Sequence, residues 1–124
     1  MARPIVHVEI PATDPQALGD FYKHTFGWDL NLDTTFNYLQ FTSEGGPAGA
    51  FTEGSGDNWA GAGPNSPVIY LGTDDLAGDL AKVEAGGGQV LLPTMEIPNI
   101  GWMAIFRDPS GNHIGLFKYM QAAA

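Results

Sequence analysis

The chain is written twice, and an internal repeat restricts architecture before any single residue does. The run PIVHVEIP, residues 4–11, is rich in Val and Ile and reads as a strand. TDPQALGDFYKHTFGW follows it. Thr13 is the expected N-cap, Pro15 stands in the first turn and Gly27 supplies the stop. Ala17, Leu18, Phe21, Tyr22 and Phe26 fall at helical spacing and predict one apolar face. From residue 67, PVIYLGT is again a strand. DDLAGDLAKVEAGGGQV predicts a helix from near Asp74 to residues 86–88, with Leu76, Leu80, Ala81 and Val83 turned inward. His7 corresponds to Val68, Asp14 to Asp75 and Gly27 to Gly88, all at one constant offset.

Three strand-like runs follow each helix: WDLNL, FNYLQFT and PAGAFTE in the first half, QVLLPTMEIP, WMAIFRD and HIGLFKYM in the second. EGGPAGAF (44–51) and SGNHIGLF (110–117) share Gly, Gly and Phe at equal spacing, which aligns Gly49 with Gly115 and Phe51 with Phe117. The expected organisation is a single domain over 1–124, with module 1 at about 4–53, a linker at about 54–66 and module 2 at about 67–120. The linker is rich in Gly, Ser and Asn; within it Trp59 is either a staple onto the sheet or a pocket lid or dimer contact. The expected fold class is α+β: two βαβββ modules forming an open, barrel-like curved mixed sheet with helices on the outside. The hollow of such a sheet is a natural small-molecule site.

The first strand then raises a chemical question. Strand side chains alternate faces, so Val6, Val8 and Ile10 share one side and His7 and Glu9 the other. The apolar set should face the helix and the polar pair the hollow. An imidazole and a carboxylate there, roughly 6–7 Å apart along the strand, are costly unless something meets them. A structural His7–Glu9 pair and a ligand-facing acid or base both remain open. His113 shares strand parity with Gly115, and Tyr70 corresponds to Glu9 across the repeat. Glycine inside a strand weakens it unless something approaches closely, so Gly49 and Gly115 suggest bulk removed for a ligand or for a neighbouring side chain. Tyr38, Phe51, Tyr70, Trp102 and Phe117 are candidate aromatic walls. His24, Glu53 and Glu96 are expected in solvent, and Arg107 is expected to pair with Asp108 or another surface acid.

The net charge of −9 argues against nucleic acid and anionic membranes as partners. The chain has no Cys, so it forms no disulfide and offers no thiolate ligand. MARPIVHVEIPATD lacks the long apolar core of a signal peptide, and no run is long enough to span a bilayer. A cytoplasmic location is therefore expected. Arg107 and Lys118 are two of only five basic residues. That shortage disfavours CoA esters and phosphonates as ligands and favours neutral or cationic, partly aromatic ones.

HVEIPATDPQALGDFYKHTFGW and FRDPSGNHIGLF together resemble the vicinal oxygen chelate superfamily, the glyoxalase/bleomycin-resistance/dioxygenase group. The resemblance runs over almost the whole chain. It implies paired modules around an open cleft, frequent homodimers and small-molecule sites. Members include glyoxalase I, extradiol dioxygenases, methylmalonyl-CoA epimerase, fosfomycin-modifying enzymes and drug-sequestering proteins. Metal-dependent members carry ligands on the first and last strands of each module. Those places fall on His7, Val68, Gly49 and Gly115, which leaves one donor of four, and a stable divalent site needs three or more. No cofactor is therefore expected; a divalent metal held by His7, Glu9 and His113 is the alternative. The expected function is binding of a small, partly hydrophobic molecule by a homodimer, with Tyr38, Gly49, Phe51, Tyr70, Trp102, His113, Gly115 and Phe117 lining the site and His7 and Glu9 orienting the ligand. The rival is a lyase, isomerase or dioxygenase-type enzyme in which Glu9 is the general base and His7 polarises the substrate or holds the metal.

Overall fold

The computed structural model of the chain describes residues 2–34, 38–53 and 66–120. Trp59 and the side chain of Glu53 lie outside the described residues. The chain divides into two compact units, residues 6–69 and residues 70–124 joined by 1–5. Both follow the strand, helix, three-strand plan.

In the first unit these elements are β1 (Ile5–Ala12), α1 (Pro15–Phe26), β2 (Asp29–Asp33), β3 (Tyr38–Thr42) and β4 (Ala48–Glu53). The strand order is β2-β3-β4-β1. β1 and β4 are parallel, and the other neighbours are antiparallel. Helix α1 starts at Asp14 rather than Thr13: the Asp14 carboxylate accepts from the Ala17 N–H at 3.2 Å, and Pro15 takes the first helical position, where no N–H is needed. It ends at Gly27, whose φ of 77° lets its N–H turn back to the Lys23 carbonyl at 2.9 Å. Leu18 and Tyr22 face the sheet and pack with Val8, Ile10, Trp28 and Leu30 around Leu39, Phe41 and Phe51. Rings stack through this core, Tyr22 on Trp28 at 4.5 Å and Trp28 on Phe41 at 4.4 Å. Burying an aromatic of this kind contributes about 1.5–3 kcal/mol. Val8 and Ile10 thus face the helix as the alternation predicted. The apolar stripe of α1 is narrower than predicted. Phe21 lies on its flank, 53% exposed, and Phe26, the last helical residue, is 64% exposed.

The second unit holds β5 (Val68–Gly72), α2 (Leu76–Ala85), β6 (Gln89–Ile97), β7 (Gly101–Arg107) and β8 (His113–Tyr119), in the order β5-β8-β7-β6. β5 and β8 are parallel; β8 with β7 and β7 with β6 are antiparallel. Asp75 caps α2 by accepting from the Gly78 N–H at 3.0 Å. Leu76, Leu80 and Val83 pack on Ala104, Phe106 and Leu116, while Ala81 is exposed. The N-terminal segment is tied to this unit. Gly72 donates to the Pro4 carbonyl at 2.8 Å, and Arg3 forks onto Asp79 at 3.0 and 3.1 Å. Burial pushes the Asp79 carboxyl up, but the hydrogen bonds from Arg3 and Thr73 outweigh it and hold it below the usual range. No helix among the described residues is long and apolar enough to cross a membrane.

Candidate functional site

The register of the first unit sorts its side chains into two faces. Val8 pairs with Gly49, Ile10 with Phe51, Leu39 with Phe51 and Phe41 with Gly49. These residues form the face under α1. The opposite face carries the intervening positions: His7 and Glu9 on β1, Ala48, Ala50 and Thr52 on β4, Tyr38 and Gln40 on β3, and Asn31 and Asp33 on β2.

On that face the sequence-predicted pair meets a third group. Tyr38 donates its hydroxyl proton to Glu9 Oε2 at 2.8 Å, and its phenol oxygen lies 3.0 Å from His7 Nε2. The phenol proton is committed to the carboxylate, so the contact with His7 requires Nε2 to carry the hydrogen and Tyr38 to accept it. The result is a directed chain, imidazole to phenol to carboxylate. The rings of His7 and Tyr38 are near parallel, 13° apart. Burial pushes the His7 imidazole below its ordinary pKa, and the nearby Glu9 carboxylate offsets this only in part. The histidine is therefore neutral near pH 7.

Tyr38 reaches this pair from β3 across β4, and strands two apart in a sheet are about 10 Å from each other. The span is open because β4 offers Ala50 there, paired with Glu9 on one side and Gln40 on the other. Ala50 is fully buried on this face. Thr52 lies further along the same face, its Oγ1 buried and without a hydrogen-bond partner among the described residues.

The two glycines do not take equivalent faces of their own units. The second unit pairs Tyr70, the repeat partner of Glu9, with Gly115; the first unit pairs Glu9 with Ala50. Aligning the halves on Gly, Gly and Phe therefore slips the last strand by one residue, and one residue turns a strand over. Gly49 and Phe51 belong to the core under α1, where Phe51 is 2% exposed. Both glycines are nonetheless there for a close approach. A Cβ on Gly49 would strike the Val8 carbonyl oxygen and the Phe41 ring, and one on Gly115 would strike the Tyr70 ring. The bulk was removed for neighbouring side chains.

In the second unit Tyr70, His113, Gly115 and Phe117 share the face away from α2. Tyr70 is 2% exposed, and the buried His113 Nδ1 has no hydrogen-bond partner among the described residues. Trp102 is on the other face, packed in the α2 core with the Lys118 ammonium 5.6 Å from its ring centre. Its expected place on the wall is corrected: the β7 register puts Trp102 opposite Lys118, one step out of phase with Phe117. Arg107 does not take Asp108 as predicted. That carboxylate is engaged by the Ser110 and Asn112 N–H groups and by the Asn112 side chain.

The donor set does not fit the superfamily's metal. His7 Nε2 faces a phenol, the positions beside Glu9 and Tyr70 are Ala50 and Gly115, and neither can ligate. Among the described residues no three His, Asp or Glu side chains gather.

Sequence reasoning listed Tyr38 only as an aromatic wall and missed Thr52. The signal was available in part: the parity of FNYLQFT puts Tyr38 opposite Leu39 and Phe41. That it crosses β4 to reach β1 depends on strand order, which the sequence does not state.

Strand, helix and three strands, closed by a parallel pair in each unit, define a class of paired βαβββ proteins. The sequence matches the Glyoxalase/Bleomycin resistance protein/Dioxygenase superfamily over residues 4–116, and the chain belongs to it. It is 29% identical over 124 residues to the anthracycline biosynthesis protein DnrV of Streptomyces peucetius, covering 89% of this chain and 45% of that protein. The chain thus spans less than half the length of that relative. Hypothetical protein BH1468 from Bacillus halodurans C-125 has a TM-score of 0.76 at 13% identity, over 100% of this chain and 99% of that one. A Streptomyces coelicolor methylmalonyl-CoA epimerase variant in complex with 2-nitronate-propionyl-CoA gives 0.67 at 18% identity, over 100% and 99%. At such identities the likeness is one of fold.

Proposed function

We propose that the chain binds a small, partly hydrophobic molecule on the face that carries His7, Tyr38 and Glu9, without the four-ligand metal site of its metal-dependent relatives. The observation that carries this reading is the phenol bridge, with Tyr38 bonded at once to Glu9 and to His7. A polar network on the face that carries Ala50, on the side of the sheet away from its core, has the make-up of a ligand site: a few fixed polar groups beside small and aromatic residues. Superfamily membership supports a small-molecule site, and Val68, Ala50 and Gly115, which offer no donor side chain, support the metal-free form. The expected homodimer and cytoplasmic location belong to the same proposal; Phe21 and Phe26, exposed on α1, are apolar surface that a second subunit would cover.

The same bridge supports a second reading, an isomerase, lyase or dioxygenase-type enzyme. A carboxylate and an imidazole joined by a phenol form a path along which a proton can pass, with Glu9 as base. The epimerase among the fold neighbours is an enzyme of that broad kind.

The test is NMR shift mapping of the chelator-treated protein against a library of small aromatic compounds. Shifts centred on His7, Glu9 and Tyr38 support the proposal. A library that leaves these residues unmoved contradicts it, as does binding that returns only when a divalent metal is added. Turnover of a bound compound, abolished by Glu9→Gln while binding persists, selects the enzyme reading.

A further inference from the structure

We propose that the second unit holds a carboxylate-binding site of its own, formed where Gln89, Arg107 and His113 stand in one row at the ends of three strands. It goes beyond the reading given for His7, Tyr38 and Glu9 and does not depend on it.

Register makes the row. Gln89 opens β6, Arg107 closes β7 and His113 opens β8. Gln89 is in register with Arg107, and Arg107 with His113. Directly opposed residues of antiparallel strands point to one face, with Cβ atoms about 4.5–5.5 Å apart. This is the face away from α2, because Ala104, Phe106 and Leu116 hold the other. Arg107 is exposed and makes no ion pair or side-chain hydrogen bond among the described residues. The acid next to it in sequence, Asp108, is turned into its own loop, where Ser110 and Asn112 donate to it. A guanidinium offers five N–H donors in a planar fork that matches a carboxylate.

His113 supplies a second donor. Its Nδ1 is buried and has no hydrogen-bond partner among the described residues. A hydrogen there would be a buried donor facing no acceptor, so the neutral ring carries its hydrogen on Nε2. Nε2 is itself unbonded but not buried. It therefore presents an N–H at the surface beside Arg107, and the exposed Gln89 amide adds donors on the other side of the guanidinium. Donors around one fixed positive charge recognise an anion. Charge sets its class. Among the described residues Arg107 is the one Lys or Arg on this face of the second unit: Arg3 forks onto Asp79, Lys82 lies on α2, and Lys118 lies over Trp102. One cation matches a monoanionic carboxylate, whereas a phosphate dianion would leave half its charge unmet. The net charge of −9 opposes anions at long range, but exposed charges are screened beyond about 8 Å at physiological ionic strength, and the guanidinium is in contact with its ligand.

Benzoate and benzamide share a shape and differ in charge. Each is titrated into the uniformly 15N-labelled protein at pH 7, with inorganic phosphate as a third probe, and binding is followed at the Arg107 Nε–H and the His113 ring nitrogens. Benzoate should shift both groups and bind at least ten-fold tighter than benzamide. Arg107→Gln should weaken benzoate at least ten-fold. Arg107→Lys, which keeps the charge and loses the fork, should weaken it several-fold, as should His113→Phe. Benzamide binding as tightly as benzoate, or phosphate binding more tightly, would overturn the carboxylate class. Benzoate that leaves Arg107 and His113 unmoved would overturn the site. So would benzoate binding to Arg107→Gln as well as to the wild type, with the fold intact by its amide spectrum. An Nδ1–H tautomer of His113 in the free protein would overturn the donor role of that ring.

Discussion

Tyr38 and Glu9 stand on strands separated by a third, yet the phenol oxygen of one lies 2.8 Å from the carboxylate of the other. On the strand between them Ala50 is in register with Glu9 and with Gln40, two residues from Tyr38, and its methyl leaves room for a side chain to cross that face. Ala50→Leu should therefore separate the pair. The expected result is loss of the Tyr38–Glu9 hydrogen bond and an overpacking cost of about 1–3 kcal/mol, read from urea denaturation and from the hydroxyl environment of Tyr38 by NMR.

Tyr38→Phe keeps the ring and removes only the oxygen. Two hydrogen bonds vanish, one of them to a carboxylate. A bond to a charged group contributes roughly 1.5–3 kcal/mol. The variant should be less stable by about that amount, with the m-value unchanged because the surface exposed on unfolding is the same.

Stability should also depend on pH through His7. Its folded pKa lies below the value near 6.5 of an unfolded chain. Above 6.5 the imidazole is neutral in both states and stability is complete. As pH falls from there, the unfolded chain takes up the proton first, so stability declines until the folded pKa is passed. His7→Gln should flatten the stability curve in this window. Asp79 acts lower, since its depressed pKa matters only as pH falls through the carboxylate range. Thermal melts of both proteins between pH 4 and 8 measure the difference.

Gly49→Ala and Gly115→Ala should both destabilise, and the first more. The added methyl at 49 meets the Val8 carbonyl oxygen, which is backbone; at 115 it meets the buried Tyr70 ring, a side chain that yields more readily than backbone. A cost of about 1–3 kcal/mol is expected for overpacking of this kind, at the upper end for Gly49 and the lower for Gly115. Paired denaturation curves check the order.

Much of the fold was legible because it rests on local signals. Pro15, Gly27 and the acidic caps fix both helices, and the alternation around Val8 and Ile10 fixes which side of β1 is core. Even there Asp14 displaced Thr13 as the cap, since its carboxylate reaches the Ala17 N–H. The site was less legible, for reasons of register. EGGPAGAF and SGNHIGLF look equivalent, but strand pairing is decided by what packs beside them. Phe41 over Gly49 and Tyr70 over Gly115 draw the two glycines to opposite faces relative to their helices. His7 and Glu9 were visible as an anomaly in β1. Their partner was not, because Tyr38 lies 31 and 29 residues further along the chain and meets them only once β4 is laid between.

One phenol joins His7 to Glu9, and the proton on His7 reports that bridge directly. A long-range 1H–15N spectrum of the imidazole at pH 7.5 separates the two neutral tautomers. The bridge predicts a single Nε2–H tautomer in the wild-type chain and a mixed population in Tyr38→Phe. An Nδ1–H tautomer in the wild type, or a tautomer ratio untouched by the substitution, would contradict it.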